Sequence, residues 1–433
     1  MHIPSLFGAL LSSIGLRVVS ASFLFGIGVI LAKWLGPEKF GFYTLIFSVA
    51  SIIGIPITAG LPSLLTRETA SLVAANRVSR LKGLLVFSLG LVSFVSILGL
   101  VGYVFFVPVS AISSSLDFKY LGIIALLVPV IGLDRLRGAV MQGLGSSMLA
   151  QIPEALIRPS AYFFVLLIGY YIGSKAPLDY SLYAYVLTSF VSFFYGSYAL
   201  KQMMGSRLRG VLPEYEFKKW ISTLFSLGAL SCSQSLVGNA DILILGWLGS
   251  NYDIGVYKVA LQGVALILVA QTGIGAVLST RFSRGFADKD INRIIEISDA
   301  AVITFTCIAT SAFILFLFFG KDFIRMLFGA LYLEASSPLL ILAIGQVVNA
   351  FSGPAMTLLI MGKHEKQALF SVLVGGVVML IAALVLVPRF PLLGMACASS
   401  VGFAVTNIMM AALVKRVFGF DQTLIGVVKR RLR

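Results

Sequence analysis

One carboxylate stands deep inside an apolar run of this sequence. Asp241 and, two residues before it, Asn239 lie within residues 221–248, which are otherwise long, apolar and helix-like. An ionised side chain in hydrocarbon is costly, and it usually marks an ion path or an ion pair. The pair predicts either a site where Asp241 and Asn239 couple transport to H⁺ or Na⁺, or a structural role. In the structural role the carboxylate would be the partner of a helix-embedded basic residue or part of a hydrogen-bonded contact between helices.

Arginines in two apolar runs suggest binding of an anion. Arg17 lies about one turn inside the first run, where its guanidinium is suited either to phosphate oxygens or to snorkelling toward the membrane surface. In a helix, Asp134 and Arg137 share a face and can pair, whereas Arg135 points about 100° away. Arg135 is therefore expected either on the wall of a cavity or, with its two neighbours, in a cluster at the membrane interface.

Uncharged amides are the third kind of polar group in these runs. They are suited to hydrogen bonds with sugar hydroxyls if they face a cavity, although contacts between helices are their more common use in membranes. The candidates are Gln262, Gln271 and Asn349.

Composition identifies the elements that position these side chains. The chain has 433 residues, 58% of them hydrophobic and 12% charged, whereas soluble domains are about 25% charged. Its apolar runs recur from residue 14 to residue 414 and have the ~20-residue length of a membrane-spanning helix. This pattern excludes a soluble enzyme with one anchor and a barrel of short alternating strands. We expect an all-α polytopic membrane protein with about twelve transmembrane helices.

The net charge of +15 mainly reflects membrane topology. Of the 33 Lys and Arg residues, 25 fall in one alternate set of connections, which the positive-inside rule assigns to the cytoplasm together with both termini. Binding to nucleic acid is therefore not expected. The first residues lack the basic start and small-residue cleavage site of a signal peptide, so the first run is expected to be a retained helix.

An internal repeat divides the chain. The sequence WLGPEKFGFY at 34–43 returns as WLGSNYDIGVY at 247–257. Six spans separate the copies, so the halves have the same orientation in the membrane, a plan found in transporters whose substrate binds between the repeats. The predicted domains are a six-helix bundle at 1–200, a cytoplasmic linker at 201–220, a second bundle at 221–414 and a basic tail at 415–433.

The repeat also relates two arginines. Arg67 and Arg281 follow equivalent threonines at the ends of equivalent helices. Symmetry suggests that they flank the mouth of a cavity and bind substrate. Each is equally explained as an ordinary positive-inside residue.

Enzymatic chemistry has little support in this sequence. His2 and His364 are the only histidines, no phosphate-binding GxxxxGK[ST] sequence occurs, and the three cysteines lack metal-site spacing. We therefore expect neither catalysis, nor a metal, nor a cofactor, apart from H⁺ or Na⁺ as a coupling ion. A glycosyltransferase or polymerase would need a large outer loop, and the longest outer connection, near 320–337, is short.

Several segments resemble the bacterial polysaccharide biosynthesis (oligosaccharide flippase) family of the MOP exporter superfamily, and they cover nearly the whole chain. The run LGPEKFGFY is similar to a family motif after the first helix. The other similar segments are 142–145, 151–154, 158–159, 241–246, 327–332, 353–354 and 361–365.

The resemblance implies two six-helix bundles around a central V-shaped cavity. It implies alternating-access movement of polyprenyl-diphosphate-linked oligosaccharides from the cytoplasmic to the outer leaflet of the bacterial inner membrane, for O-antigen, capsule or exopolysaccharide synthesis. A polysaccharide polymerase and chain-length components would then be partners. The alternative is a cation-coupled multidrug exporter of the same superfamily. Many such exporters carry a carboxylate in the first helix, where this chain has Arg17 and Lys33.

Overall fold

A computed structural model describes residues 6–58, 60–106, 118–204 and 210–432 of the chain. Positions 205–209 of the predicted linker lie outside the described residues. Within the described ranges all regular structure is helical, and no strand occurs there. The expected all-α fold is confirmed.

Packing contacts divide the chain into two compact units, formed by Met1–Trp34 with Leu45–Asn239 and by Leu35–Thr44 with Ala240–Arg433. The sequence boundaries predicted at 200, 220 and 414 stay predictions.

The helices in the first half of the chain are α1 Leu6–Ile53, α2 Ile55–Thr58, α3 Leu61–Ala74, α4 Val78–Phe106, α5 Phe118–Gly143, α6 Ser147–Ile152, α7 Arg158–Ile172 and α8 Pro177–Met204. The later helices are α9 Phe217–Leu248, α10 Asn251–Ala287, α11 Ile291–Leu327, α12 Ser336–Ser352, α13 Ala355–Met361, α14 Glu365–Leu386, α15 Pro391–Phe418 and α16 Leu424–Arg431.

The helices have the dimensions of membrane spans. Eight helical segments of the described ranges are long and apolar enough to cross a bilayer. Helices α5, α8 and α9, with 26, 28 and 32 residues, also exceed the ~20 residues that a crossing needs. The protein is a multi-pass membrane protein.

The apolar pattern of the sequence predicts separate spans at 14–35 and 42–65, and the observed helices differ from them in detail. The two spans are joined in α1, whose backbone is non-helical only at Gly36 (φ 72°), followed by Pro37 inside the helix. Proline lacks the N–H that would continue the hydrogen-bond ladder, so the Gly-Pro pair kinks the helix where a loop was expected. The second predicted span is not one helix, because it breaks near Gly54 into the short α2 and the separate α3.

The two copies of the repeated motif pack against each other in the second unit. A Cβ atom on Gly41 would lie 1.7 Å from the Asn251 carbonyl oxygen, and one on Gly255 would lie 2.0 Å from the Pro37 carbonyl oxygen. Pro37 and Asn251 are 214 residues apart, as are Gly41 and Gly255. The contact is thus reciprocal, and each copy presents its glycine to the same position of the other. Only residues without a side chain allow backbones this close.

A buried ion-pair cluster joins α5 to α7 and α8 in the first unit. Asp134 is fully buried, and its oxygens lie 3.1 Å from the Arg137 guanidinium and 3.8 Å from that of Arg158. The Arg137 guanidinium also donates to the carbonyl oxygens of Ser192 and Phe193 in α8, at 3.0 and 3.1 Å. The predicted Asp134–Arg137 face is therefore present, and it points into the protein.

A π-helical turn, Pro153–Ile157, delivers Arg158 to this cluster. Its first carbonyl, that of Pro153, accepts a hydrogen bond from the Ser192 hydroxyl at 2.8 Å. The Arg158 guanidinium also stands 5.7 Å from the ring centre of Tyr185, a cation–π distance. The turn, α5 and α8 are thereby fixed to one another by polar contacts inside an apolar unit.

Gly255→Ala should destabilise the protein by about 1–3 kcal/mol, since its methyl group overlaps a backbone carbonyl and forces helices apart. Gly275→Ala is the matched control, because it lies in the same helix with nothing within 4 Å of the added carbon. The measurement is the thermal unfolding midpoint of the purified protein in detergent. Equal midpoints for the two variants would contradict the close contact.

Arg137→Met should destabilise the protein by about 3–5 kcal/mol, because it removes the nearer partner of a buried carboxylate. The double variant Asp134→Asn/Arg137→Met should recover part of this loss, since no unpaired charge then remains. Denaturant titration followed by intrinsic fluorescence measures both. A double variant less stable than Arg137→Met would refute the pairing as the cause.

Candidate functional site

A half-open cavity of about 210 Å³ lies within the first unit, where the end of α1, α2, α5 and α9 meet. One water molecule needs only about 10–15 Å³ of such volume, so a small polar group fits inside. The lining residues are Ala50, Ser51, Gly54, Thr58, Val128, Ile131, Arg135, Ser235 and Asn239.

Arg135 is the one charged residue among these lining residues. Its side chain is 54% exposed, and its nearest carboxylate is Glu154 in the π-helical turn, 3.7 Å away. At this distance and exposure the ion pair contributes little free energy and can be exchanged for another anion. The guanidinium is thus held near the cavity by a weak ion pair and can still bind another anion.

The charges around Arg135 do not balance. Arg135, Arg137 and Arg158 face the two carboxylates Asp134 and Glu154, which leaves one positive charge in excess. Because Arg137 is buried and tied to carbonyl oxygens, the accessible part of this excess is on Arg135. Sequence reasoning placed Arg135 correctly off the Asp134–Arg137 face, but it assigned no role to Glu154 or Arg158.

Small polar groups complete the cavity wall. Asn239 donates a hydrogen bond to the Ser235 carbonyl at 2.8 Å, and the Thr58 hydroxyl donates to the Gly54 carbonyl at 3.0 Å. These bonds hold both side chains against their own helices. Asn239 therefore lies with Arg135 in the first unit, whereas Asp241, its predicted companion, belongs to the second unit.

Asp241 is buried in a hydrogen-bonded cluster of the second unit. It accepts a hydrogen bond from the backbone N–H of Ile242 at 2.8 Å and one from the Tyr257 hydroxyl, and the half-buried Lys258 attracts it electrostatically. Tyr257 also contacts the Ser399 hydroxyl at 3.0 Å. The sequence indicated the carboxylate but none of these partners, although Tyr257 stands inside the repeated motif.

The predicted amides lie on α10 and α12 of the second unit. Asn349 donates to the Gln271 side-chain oxygen at 3.5 Å, a contact between helices. Among the described residues, the Gln271 amide nitrogen and the Gln262 side-chain oxygen are buried without a hydrogen-bond partner. Such groups are rare in folded proteins and remain available to a polar ligand.

The other predicted arginines have exposed side chains. Arg17 lies on α1, Arg67 on α3 and Arg281 on α10, and none of the three lines the cavity of the first unit. Their roles in binding substrate stay predictions.

Solved structures show the fold to be that of the MOP superfamily transporters. An inward-facing multidrug resistance MATE transporter matches with a TM-score of 0.75, at 14% identity, over 94% of this chain and 98% of its own. The lipid II flippase MurJ matches with a TM-score of 0.73, at 14% identity, over 94% and 87%. A MOP transporter from Pyrococcus furiosus, described as having a binding pocket of reverse polarity, matches with a TM-score of 0.65, at 15% identity, over 95% of each chain.

Sequence comparison gives the family. No curated protein matches the chain. A family model described as "Polysaccharide biosynthesis protein" matches residues 30–337, which is more than half of the sequence. The predicted family resemblance is therefore confirmed, and the chain belongs to the polysaccharide biosynthesis protein family.

Proposed function

We propose that this protein is a flippase that moves polyprenyl-diphosphate-linked oligosaccharides from the cytoplasmic to the outer leaflet of a bacterial inner membrane. The observation that carries the proposal is the uncompensated charge of Arg135 at the cavity of the first unit. Membership of the polysaccharide biosynthesis family supports the proposed substrate class.

Arg135 is suited to a diphosphate for three reasons. A guanidinium offers parallel N–H donors that match the oxygens of a phosphate. The surrounding cluster carries one excess positive charge, which a diphosphate would neutralise. The weak partner, Glu154, is also attracted electrostatically by Arg158, so its displacement from Arg135 does not leave its charge alone.

The same charge disfavours the alternative, a multidrug exporter of cationic compounds. A cationic drug entering the cavity would meet a guanidinium, and a like charge at close range costs free energy. The structural match to a MATE transporter establishes the fold and does not choose between substrates, at 14% identity.

Asp241 is proposed as the coupling site for H⁺ or Na⁺. Hydrogen bonds, rather than a close guanidinium, hold this carboxylate, so it can exchange a proton or cation. Lys258 supports the structural alternative, in which the two side chains form a pair that joins α9 to α10. The coupling role and the structural role of Asp241 predict different gradient dependence of transport when the charges of Asp241 and Lys258 are both removed.

The unpartnered Gln262 side-chain oxygen and Gln271 amide nitrogen are proposed contacts for sugar hydroxyls, together with Asn349. Arg17, Arg67 and Arg281 are proposed contacts for the diphosphate. A polysaccharide polymerase and chain-length components are the proposed partners of the transport step.

Deletion of the gene tests the proposed function directly. We expect loss of a surface polysaccharide together with accumulation of its lipid-linked precursor inside the cell. Unchanged polysaccharide combined with new sensitivity to cationic drugs would establish the exporter instead.

Arg135→Gln should lower polysaccharide export in the complemented deletion strain by about 10-fold or more, the value of a lost charge-assisted hydrogen bond. Arg135→Lys should retain part of the activity, since it keeps the charge but loses the paired donors. The measurement is surface polysaccharide per amount of membrane-inserted protein.

Two matched variants separate binding from folding. Arg77→Gln removes another exposed cation of the first unit and should leave export unchanged. Glu154→Gln should also preserve export, because it frees Arg135. If Glu154→Gln is as defective as Arg135→Gln, the ion pair is structural and the binding role is wrong.

Asp241→Asn should abolish the dependence of transport on an imposed H⁺ or Na⁺ gradient, since the amide can neither release a proton nor bind a cation strongly. Transport of the labelled lipid-linked substrate into proteoliposomes, with each gradient imposed separately, measures this. Restored gradient dependence in Asp241→Asn/Lys258→Met would show that the carboxylate serves only as a structural partner.

A further inference from the structure

The C-terminal helix α16 is a surface helix fixed to the second unit at both ends. It follows the membrane span α15 after a five-residue connection, so it begins within about 20 Å of the end of that span. The buried Gln422 side chain donates to the Ser352 carbonyl at the end of α12, at 3.3 Å. Near the other end, Arg430 forms a two-point ion pair with Asp299 of α11.

The docked side of α16 is distinct from its outer side. Gly426 and Val427 are buried, and Arg430 is turned inward to Asp299 and to the Asp421 carbonyl, 2.6 Å away. Three apolar side chains face outward at positions i, i+3 and i+7, which lie on one face of a helix. They are Ile425, Val428 and Leu432, with exposures of 66%, 48% and 82%.

Cations flank this apolar stripe on both sides. At about 100° per residue, Lys429 falls on one edge of the stripe and Arg431 on the other. Both side chains are exposed, as is Arg416 at the end of α15. An apolar stripe between two cationic edges is the pattern of a helix that lies in the plane of a membrane surface, with its long basic side chains reaching the headgroups.

The neighbouring acids do not cancel this charge. Asp299 is occupied by Arg430, and Asp421 accepts hydrogen bonds from the Thr423 backbone N–H and hydroxyl at 3.0 and 2.6 Å, with Lys415 3.6 Å away. Burial raises the pKa of Asp421, but these hydrogen bonds and Lys415 outweigh it and hold the pKa below its ordinary value. The carboxylate therefore stays ionised at neutral pH and neutralises Lys415 rather than Lys429 or Arg431.

We propose that the outer face of α16 binds the anionic lipid headgroups of the bilayer that α15 crosses, with Ile425, Val428 and Leu432 inserted between the acyl chains and Lys429 and Arg431 paired with phosphates. The occupant is a lipid surface because the cations border the apolar stripe on both edges. Each basic residue near an anionic surface strengthens such binding roughly fivefold. This site is separate from the proposed transport residues and does not depend on them.

The test places a fluorescent label on this face. The three native cysteines, Cys232, Cys307 and Cys397, are replaced by alanine, and an environment-sensitive label is attached to Ile425→Cys in the full-length protein. The protein is reconstituted into phosphatidylcholine vesicles with or without phosphatidylglycerol. Brominated lipids and aqueous iodide then report whether the label is in the membrane or in water.

We expect a blue-shifted label that brominated lipids quench, and stronger quenching when phosphatidylglycerol is present. Lys429→Gln/Arg431→Gln should lose this dependence on anionic lipid. The charge-matched control Lys363→Gln/Lys366→Gln, which changes two exposed cations around the start of α14, should keep it. A label quenched by iodide and not by brominated lipid in phosphatidylglycerol vesicles would overturn the proposal. So would a lipid-independent signal that changes on dilution of the protein, since it would identify a second copy as the occupant.

Discussion

A charged side chain inside hydrocarbon has to be paired, and in the first unit the charge that requires partners is the buried carboxylate of Asp134. Two guanidiniums from different helices neutralise its carboxylate, and one of them also binds carbonyl oxygens of α8. The arrangement of α5, α7 and α8 follows from these contacts. With its two neighbours facing inward, Arg135 is the side chain left for the cavity. The candidate binding site is therefore a consequence of how a structural charge is satisfied.

The buried carboxylate of the second unit, Asp241, is held by contacts of a different kind. Asp241 rests on a backbone N–H and a tyrosine hydroxyl, with Lys258 as an electrostatic partner. Asp134 is thus neutralised by guanidiniums, whereas Asp241 relies on hydrogen-bond donors and a single cation. Each unit therefore stabilises its buried carboxylate by a different kind of contact.

The sequence predicted the features that depend on neighbouring residues. Hydropathy predicted a membrane protein, and the spacing of Asp134 and Arg137 predicted that Arg135 lies off the helix face that these two residues share. Contacts between distant segments were out of reach. Arg158 lies 3.8 Å from Asp134 directly after a π-helical turn, and no local pattern in the sequence predicted that turn. The break near Gly54 was also hidden, because the apolar run continues across it.

The reciprocal contact of Gly41 with Gly255 bears on the origin of the chain. Each copy of the motif presents the same surface to the other. Two separate half-length chains could therefore form this contact as an isologous dimer. Fusion of the halves would replace an encounter between molecules by one within a molecule, at an effective concentration of about millimolar. Both glycines would then be retained together, since a side chain on either one would push apart the two helices at the point where they cross.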